Sequence, residues 1–435
     1  MRRGKRAGVL LHGQGRLGKS SLAARIADRY PEYAVAVVFG DYGAMDVLDA
    51  VATAVDTDPL ARETASNGLS RVRDRPEAIR EVLLDLVTGP CAQVADGRRP
   101  LLLIIDDLEQ ILVADPAGPH RVTPELAPVL AGVLRAFDPN YTDSRLLITS
   151  QFTFTLDGLE ERLERVQLRP FSPVAQRKLQ RRQQALTSPD RRAERAGLAD
   201  RAVVVSRGNP GLQDLIGYRL VYGEQVPVER AEAAVADMEA YLHQGNLPSD
   251  SEVRAFLETL ALDTLLAEAG PAHVALLRAA TLFDLPVPES VIQMLADQVG
   301  GTLPRLRGLG LLEPYPDPYD RTRRALAVNL LAAGRIPPLT ADEQAALATA
   351  CVAALFTAWG GTTPGPRRAL EVELQLAQLG LLADDPTTVT AIATGAVAQL
   401  RIGPAGNACA LGREAIELLD RHHRPVPPEP VACDH

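Results

Sequence analysis

The chain has 435 residues, of which 46% are hydrophobic and 23% are charged, a globular composition in a chain too long for one hydrophobic core. We expect roughly two to four domains. The formal net charge of −9 argues against a general nucleic-acid-binding surface. No window holds the roughly 18–20 apolar residues of a membrane span, and no signal-peptide cleavage site follows the basic N-terminus.

The four cysteines lie far apart in the sequence and form no CxxC pair. This spacing argues against a disulfide framework and against a structural zinc site. Together with the lack of a membrane span, it indicates a protein of the reducing cytoplasm. Arginine far outnumbers lysine, which occurs only three times, and this usage is typical of GC-rich bacterial genomes.

The first motif in chain order is a glycine-rich loop. Residues 13–20 read GQGRLGKS, follow the apolar run 8–12 directly, and match the phosphate-binding pattern G-x-x-x-x-G-K-[ST]. Gly13, Gly15 and Gly18 permit the tight turns that point successive backbone N–H groups at a β-phosphate. The alternative is an ordinary glycine-rich turn between a strand and a helix.

The last residues of this loop carry the rest of the predicted chemistry. Lys19 would reach the β- and γ-phosphates, and the Ser20 hydroxyl would take a place on Mg²⁺. Ser21 belongs to the start of a helix whose N-terminus faces the anion. Because lysine is so rare in this chain, its presence here makes the match specific. The sequence therefore predicts a site for ATP or ADP with magnesium.

Short apolar runs alternate with helical patterns in the first 170 residues, which is the signature of a parallel sheet built from βαβ units. The five runs are Ala7–Leu11, Tyr33–Phe39, Leu101–Asp106, Arg145–Thr149 and Arg165–Leu168.

The third run ends in two carboxylates, Asp106 and Asp107. A strand that is buried on both faces has no reason to end this way unless its carboxyl end meets a cation. In P-loop enzymes that cation is Mg²⁺, so Asp106 would hold the ion through water and Asp107 would orient the attacking water. Glu109 is the second candidate for the water-orienting role. The alternative is that both aspartates cap a helix over Leu108–Val113.

The fourth run ends in the polar residues Thr149, Ser150 and Gln151. If this strand lies between the first and the third, Ser150 or Gln151 lies near the γ-phosphate and could report its presence. The sequence alone does not give the strand order, and ordinary turn residues are an equal alternative.

Cap and turn signals mark the segments that follow. Ser172 followed by Pro173 is an N-cap and first-turn pair, which predicts a helix start. Residues 207–211 read RGNPG, which is turn chemistry before the periodic segment Leu212–Tyr222. Residues 174–207 hold nine basic and three acidic residues, which indicates a solvated helix face or, alternatively, one arginine facing the phosphates.

The second half of the chain is predominantly helical in pattern. Residues 250–340 read as short helices followed by a helix and strand within Leu303–Tyr315, and they hold eight arginines against eleven acidic residues. Because a surface that binds DNA is normally basic, this charge balance argues against DNA as a partner. From residue 341 the pattern is helical, and residues 406–419 have the small-residue spacing of a tetratricopeptide (TPR) helix. The proline-rich end is typical of a flexible tail.

Together these motifs resemble those of STAND NTPases, a class of signalling ATPases that includes NB-ARC and NACHT proteins. The resemblance rests on three strand motifs, on a junction into a small helical domain, on a proline motif and on a winged-helix pattern. The strand motifs are residues 13–23, 102–107 and 144–150. The junction is residues 168–173, the proline motif is residues 207–212, and the winged-helix pattern is residues 272–319.

The resemblance implies a multidomain α/β plus α protein. Its fourth strand would insert between the first and the third, and Pro210 would pack on adenine and ribose. The implied domains are a parallel-sheet P-loop NTPase core (1–170), a small helical domain (171–248), a winged-helix domain (249–340), TPR-like helices (341–424) and a flexible tail (425–435).

The chain also departs from the family pattern. The family commonly has arginine after the fourth strand, where this chain has Gln151, so a cationic γ-phosphate sensor is missing there. Gln14 and Arg16 replace smaller or apolar loop residues, and the winged-helix histidine has no counterpart around residues 320–331. Few residues precede the first strand, where relatives have an adenine-contacting segment.

The function implied by the resemblance is a nucleotide-controlled signalling switch. ADP would hold the domains closed, and a protein or ligand signal sensed by the C-terminal helices would favour ATP, opening and self-association. The activated assembly would drive an effector, such as a protease or a defence domain. Two alternatives remain: a DNA-binding AAA+ type regulator that uses the winged helix, and a nucleotide-binding scaffold without hydrolysis, which Gln151 favours.

Overall fold

Five parallel strands form the central sheet near the N-terminus of the chain. This computed structural model describes residues 6–94, 98–115, 118–362, 365, 368–400 and 405–423, so the predicted tail 425–435 lies outside the described residues. The strands are β1 (Gly8–His12), β2 (Ala34–Val38), β3 (Leu101–Ile105), β6 (Arg145–Ser150) and β8 (Leu163–Gln167), in the order β2-β3-β6-β1-β8.

This order confirms that the fourth apolar run inserts between the first and the third. Leu10 of β1 lies opposite Ile148 of β6, and Leu103 of β3 lies opposite Leu146 of β6. The carboxyl ends of the three strands therefore meet at one edge of the sheet. The five predicted runs are all strands, although β8 begins two residues before its predicted start and β3 ends just before Asp106.

Alternation along the strands builds a core on each face of the sheet. In β3, Leu101, Leu103 and Ile105 belong to one core cluster, whereas Leu102 and Ile104 belong to the other. All five side chains are buried, which explains why the run is apolar throughout rather than alternating. The larger core contains residues of α2 (Ala44–Ala54), α3 (Pro59–Asp74), α4 (Ile79–Thr88) and α5 (Ala127–Ala136), and the smaller contains residues of α1 (Lys19–Arg29).

A small second sheet lies beyond β3 in the chain. It comprises β4 (Leu112–Val113), β5 (His120–Val122) and β7 (Phe154–Thr155), with β5 antiparallel to β4 and parallel to β7.

The segment after the first sheet is helical, and its first helix begins where the cap signal predicts. The Ser172 hydroxyl accepts a hydrogen bond from the Ala175 N–H at 3.4 Å, with Pro173 in the first turn. This helix carries three exposed cations, Arg177, Lys178 and Arg181. The helices are α6 (Pro173–Ala185), α7 (Pro189–Glu194), α8 (Ala196–Val205), α9 (Pro210–Leu212), a π-helical continuation (Gln213–Val221) and α10 (Val228–Leu242).

The remaining elements are helices that flank a further antiparallel sheet. They are α11 (Asp250–Ala269), α12 (Pro271–Ala280), β9 (Val287–Pro288), α13 (Glu289–Val299), α14 (Leu303–Gly308), β10 (Leu312–Pro316), β11 (Arg324–Val328), α15 (Leu330–Ala333), α16 (Ala341–Ala358), α17 (Leu370–Leu382), α18 (Pro386–Leu400) and α19 (Ala405–His423). The strand order in this sheet is β10-β11-β9. Apolar residues between the last helices, such as Val389 and Leu418, are fully buried.

The chain divides into two compact units. One holds residues 1–189, 199–217 and 242–256, and the other holds residues 190–198, 218–241 and 257–435. The finer boundaries given above for five segments remain predictions. Among the described residues, no single helix has the length and apolarity of a membrane span, although the bent pair α11 and α12 meets that test when taken together.

The buried central strand provides a direct test of this core. Leu103→Ala should lower the free energy of unfolding by about 2–5 kcal/mol, because Leu103 is fully buried and its loss leaves a cavity. Val37→Ala on the neighbouring strand is the matched control, since that side chain is 55% exposed and should cost less than about 1 kcal/mol. Urea unfolding measures both, and equal costs would contradict the assigned sheet.

Candidate functional site

The loop between β1 and α1 has the backbone geometry that its glycines predict. Gly13 and Gly18 have φ angles of 149° and 86°, which side-chain-bearing residues rarely adopt. A Cβ at Gly13 would also lie 2.5 Å from the Leu168 carbonyl oxygen. Arg16 adopts φ 63° without being glycine, at a cost of roughly 1 kcal/mol. The loop therefore turns as tightly as a phosphate cradle requires.

Lys19 is the first residue of α1 and is only 5% exposed. Its ammonium donates hydrogen bonds to the carbonyl oxygens of Gly13 at 3.0 Å and Gln14 at 3.2 Å. Burial lowers the pKa of Lys19 and nearby Arg254 lowers it further, whereas the carboxylates that follow β3 raise it. The lysine is thus a buried cation held inside the loop and facing acidic groups.

The next two residues of α1, Ser20 and Ser21, have exposed side chains. Exposure at the start of the helix leaves the Ser20 hydroxyl accessible to a ligand. The roles assigned to both residues stay predictions.

The acidic end of β3 is tied to the end of β6. Thr149, fully buried, donates its hydroxyl to Asp106 Oδ1 at 2.5 Å and accepts the Asp107 N–H at 2.9 Å. Tyr42 donates its hydroxyl to the carbonyl oxygens of Asp106 at 2.8 Å and Asp107 at 3.0 Å. Burial, aided by the nearby carboxylates, raises the pKa of Tyr42 to about 12, so its hydroxyl keeps its proton. These contacts fix both aspartates at the sheet edge.

Asp107 does not act as the helix cap that the alternative interpretation required. Within the described stretch 98–115, a short 3-10 helix covers Leu108–Ile111, and the Asp107 side chain makes no capping hydrogen bond to it. The residue has a left-handed backbone, with φ 54°. Burial raises the pKa of Asp107. The neighbouring carboxylates of Glu109 and Asp106 raise this pKa further, whereas the charge of Lys19 lowers it. A raised pKa and a strained backbone are typical of functional carboxylates.

The other candidates near β6 have structural partners. Glu109 Oε2 accepts the Gln151 N–H at 3.1 Å, so this carboxylate is engaged at the end of β6. Ser150 is adjacent to the loop, because its carbonyl oxygen accepts the Gly13 N–H at 3.3 Å. Its hydroxyl, however, is fully buried and accepts the Phe152 N–H at 3.2 Å. That bond is the turn contact of the alternative interpretation.

The turn before α9 lies directly on the loop. Asn209, only 5% exposed, donates its side-chain amide to the Gly15 carbonyl oxygen at 3.1 Å. Its Oδ1 caps α9 by accepting the N–H groups of Gly211 at 3.0 Å and Leu212 at 3.1 Å. Pro210 is the first residue of α9. The structure therefore brings Pro210 beside the loop and adds Asn209, which was not predicted as a site residue although Asn-Pro is a cap signal.

A second contact reaches the loop from the start of α11. Asp250 pairs through Oδ1 with Arg207 at 3.1 Å and accepts the Gln14 side-chain amide through Oδ2 at 3.2 Å. Gln14 thus has a definite partner. Because both members of the ion pair are largely exposed, its contribution to stability is about 0–1 kcal/mol.

No protein-family model and no curated protein matches the chain. Among solved structures, it is similar to a Signal Transduction ATPase with Numerous Domains (STAND) that carries a tetratricopeptide repeat sensor, from Pyrococcus horikoshii. The two share 16% identity at a TM-score of 0.49, over 97% of this chain and 57% of that protein's length. It is also similar to a point mutant of RuvB from Thermotoga maritima, with 14% identity at a TM-score of 0.29, over 77% of this chain and 88% of that one.

Asn209 provides the test of the contact between turn and loop. Asn209→Ala should weaken binding of Mg–ATP, the ligand that the sequence predicts for this loop, roughly tenfold, because losing a neutral hydrogen bond of about 1 kcal/mol also frees the loop to move. Fluorescence titration with a labelled ATP analogue measures the change.

The matched control is Asn329→Ala. Asn329 caps α15 with the same pattern, accepting the N–H groups of Leu331 at 3.0 Å and Ala332 at 3.4 Å. Both variants should lose about 1 kcal/mol of stability, but only Asn209→Ala should lose affinity. Equal affinity losses would show that the effect is general destabilisation.

Proposed function

We propose that this chain binds ATP and ADP with Mg²⁺ at the loop between β1 and α1. The observation that carries the proposal is the buried Lys19 ammonium. It lies within a glycine loop of positive φ angles and faces the aspartates after β3. A buried cation beside a backbone that only glycine adopts easily is the donor set of a phosphate site, and two adjacent carboxylates suit a hard divalent cation.

Each residue has a role in this proposal. The backbone of Gly13, Gly15, Gly18 and Ser21 would cradle the phosphates, and Lys19 would neutralise the β- and γ-phosphate charges. Ser20 and Asp106 would hold Mg²⁺, which when bound neutralises charge on the transferred phosphate. Thr149 orients Asp106 through the 2.5 Å hydrogen bond. Asp107 would position water for slow ATP hydrolysis, since its carboxylate leaves the adjacent 3-10 helix uncapped within the described stretch 98–115.

The proposal extends to a signalling switch. Asn209 and Asp250 contact the loop from segments far along the chain, which supports coupling of the nucleotide state to the helices beyond the sheet. ATP and ADP would shift the conformation by binding the two states with different affinities. Opening would lead to self-association and to activation of an effector, in response to a signal at the C-terminal helices.

The second half of the chain supports the corresponding modules. The element order α12-β9-α13-α14-β10-β11, with the antiparallel sheet β10-β11-β9, supports the proposal of a winged-helix module. Helices α16 to α19 follow one another as in TPR-like arrays. The net charge of −3 over residues 250–340 favours packing and self-association over DNA binding.

A nucleotide-binding scaffold without hydrolysis is the second candidate function. One observation favours it: Gln151 replaces a cation at the end of β6, and its backbone holds Glu109. The two candidates differ only in turnover.

Lys19→Ala tests binding. Affinity for Mg–ATP should fall at least roughly 100-fold, because a charge-assisted contact to two phosphates is lost. Lys178→Ala, which removes an exposed lysine of α6, is the control and should bind as the wild type does. Isothermal titration calorimetry measures both, and undiminished binding by the Lys19 variant would refute the site.

Asp107→Asn tests turnover. Binding should be retained, whereas ATP hydrolysis should fall roughly 100-fold if Asp107 orients the water. Because burial raises the pKa of Asp107, wild-type turnover should decline toward acid at a higher pH than an ordinary aspartate gives. Glu109→Gln is the matched comparison. If turnover is lost in the Glu109 variant and unchanged in the Asp107 variant, the water-orienting role belongs to Glu109. If the wild type shows no turnover, the scaffold function is favoured.

A further inference from the structure

A second cation lies on the loop, and it comes from α11. The guanidinium of Arg254 lies against Gly15: a Cβ added to this glycine would overlap Nη1 and would be 2.9 Å from Cζ of the arginine. Nε and Nη1 of Arg254 are buried from solvent. A side chain at position 15 would collide with this guanidinium, so Gly15 leaves room for it.

Arg254 and Lys19 are close enough to affect each other. Burial lowers the pKa of Lys19, and the charge of Arg254 lowers it again against the opposing carboxylates Glu109, Asp107 and Asp106. Two like charges at one loop destabilise each other unless anionic groups compensate. A bound polyphosphate would supply negative charge at the same place.

The first turn of α11 is held in position on the loop. Ser249 and Glu252 form a capping box, with the Ser249 N–H donating to Glu252 Oε2 at 3.0 Å and the Glu252 N–H donating to Ser249 Oγ at 3.4 Å. Asp250 ties the same turn to Gln14 and Arg207. Arg254 follows one turn later, so its approach to Gly15 is set by a defined helix start.

We propose that Arg254 binds the terminal phosphate of the nucleotide and makes the site prefer a triphosphate to a diphosphate. This inference rests on the proposed function. The planar guanidinium presents a fork of donors that matches phosphate oxygens. A triphosphate carries more charge than a diphosphate, so a second cation beside Lys19 stabilises it more. Gln151 supplies no cation at the end of β6, and Arg254 takes that role from another element.

The alternative prediction from the sequence was a phosphate-facing arginine within residues 174–207. Arg207, in that segment, pairs with Asp250. The arginine that lies against Gly15 is Arg254, far outside that segment.

Arg254→Gln in the full chain tests the proposal. Isothermal titration calorimetry with the magnesium complexes of AMP-PNP and ADP, at fixed ionic strength, gives the ratio of the two affinities. The AMP-PNP affinity should fall at least about tenfold more than the ADP affinity. Lys178→Gln removes an exposed cation of α6 and is the control, which should leave both affinities unchanged.

Equal losses for the two nucleotides, or no loss, would overturn the assignment of Arg254 while the nucleotide site stands. Absence of binding by the wild type would instead refute the proposed function, so the two failures are distinguishable. Arg254→Lys keeps the charge but lacks the fork, and it covers the case in which the glutamine variant does not fold. For Arg254→Lys we expect the AMP-PNP affinity to fall severalfold more than the ADP affinity. If this variant keeps the wild-type ratio of the two affinities, the guanidinium is not required for the preference.

Discussion

The burial of one ammonium group at the start of α1 constrains much of what surrounds it. Lys19 is charged only if its surroundings compensate for lost water, and two loop carbonyl oxygens and the carboxylates after β3 do so. The loop must turn sharply for those carbonyls to converge, which requires glycine at positions 13 and 18. The aspartates must in turn lie at the same sheet edge, which requires β6 between β1 and β3.

The strand ends show how a sheet converts distant residues into a site. Thr149 joins Asp106 and Asp107 only because β6 lies beside β3 in the observed register, and Tyr42 adds its hydroxyl from the segment after β2. These two residues have no motif of their own, so the pattern of apolar runs could not single them out. The carboxylates themselves could be predicted, because two charges after a wholly apolar strand need a cationic partner.

Two residues of the loop, Gln14 and Arg16, contact later segments of the chain. The Gln14 side-chain amide donates a hydrogen bond to Asp250. The Arg16 side chain lies against Gly211, where an added Cβ would be 2.8 Å from the Cβ of Arg16. Arg16 thus contacts α9, and Gln14 contacts the start of α11. The loop is therefore a point of contact for two later segments of the chain.

The local features could be predicted from the amino-acid sequence: the five strands of the central sheet, the glycine loop, the helix that starts after Ser172, the turn before Pro210 and the helical second half. Each is set by near neighbours in the chain, through apolar periodicity, caps and backbone sterics. Tertiary packing brings four further residues to the loop and the aspartates: Thr149, Asn209, Asp250 and Arg254. Their positions depend on strand order and helix packing between residues far apart in the chain, and no local energy term encodes such proximity.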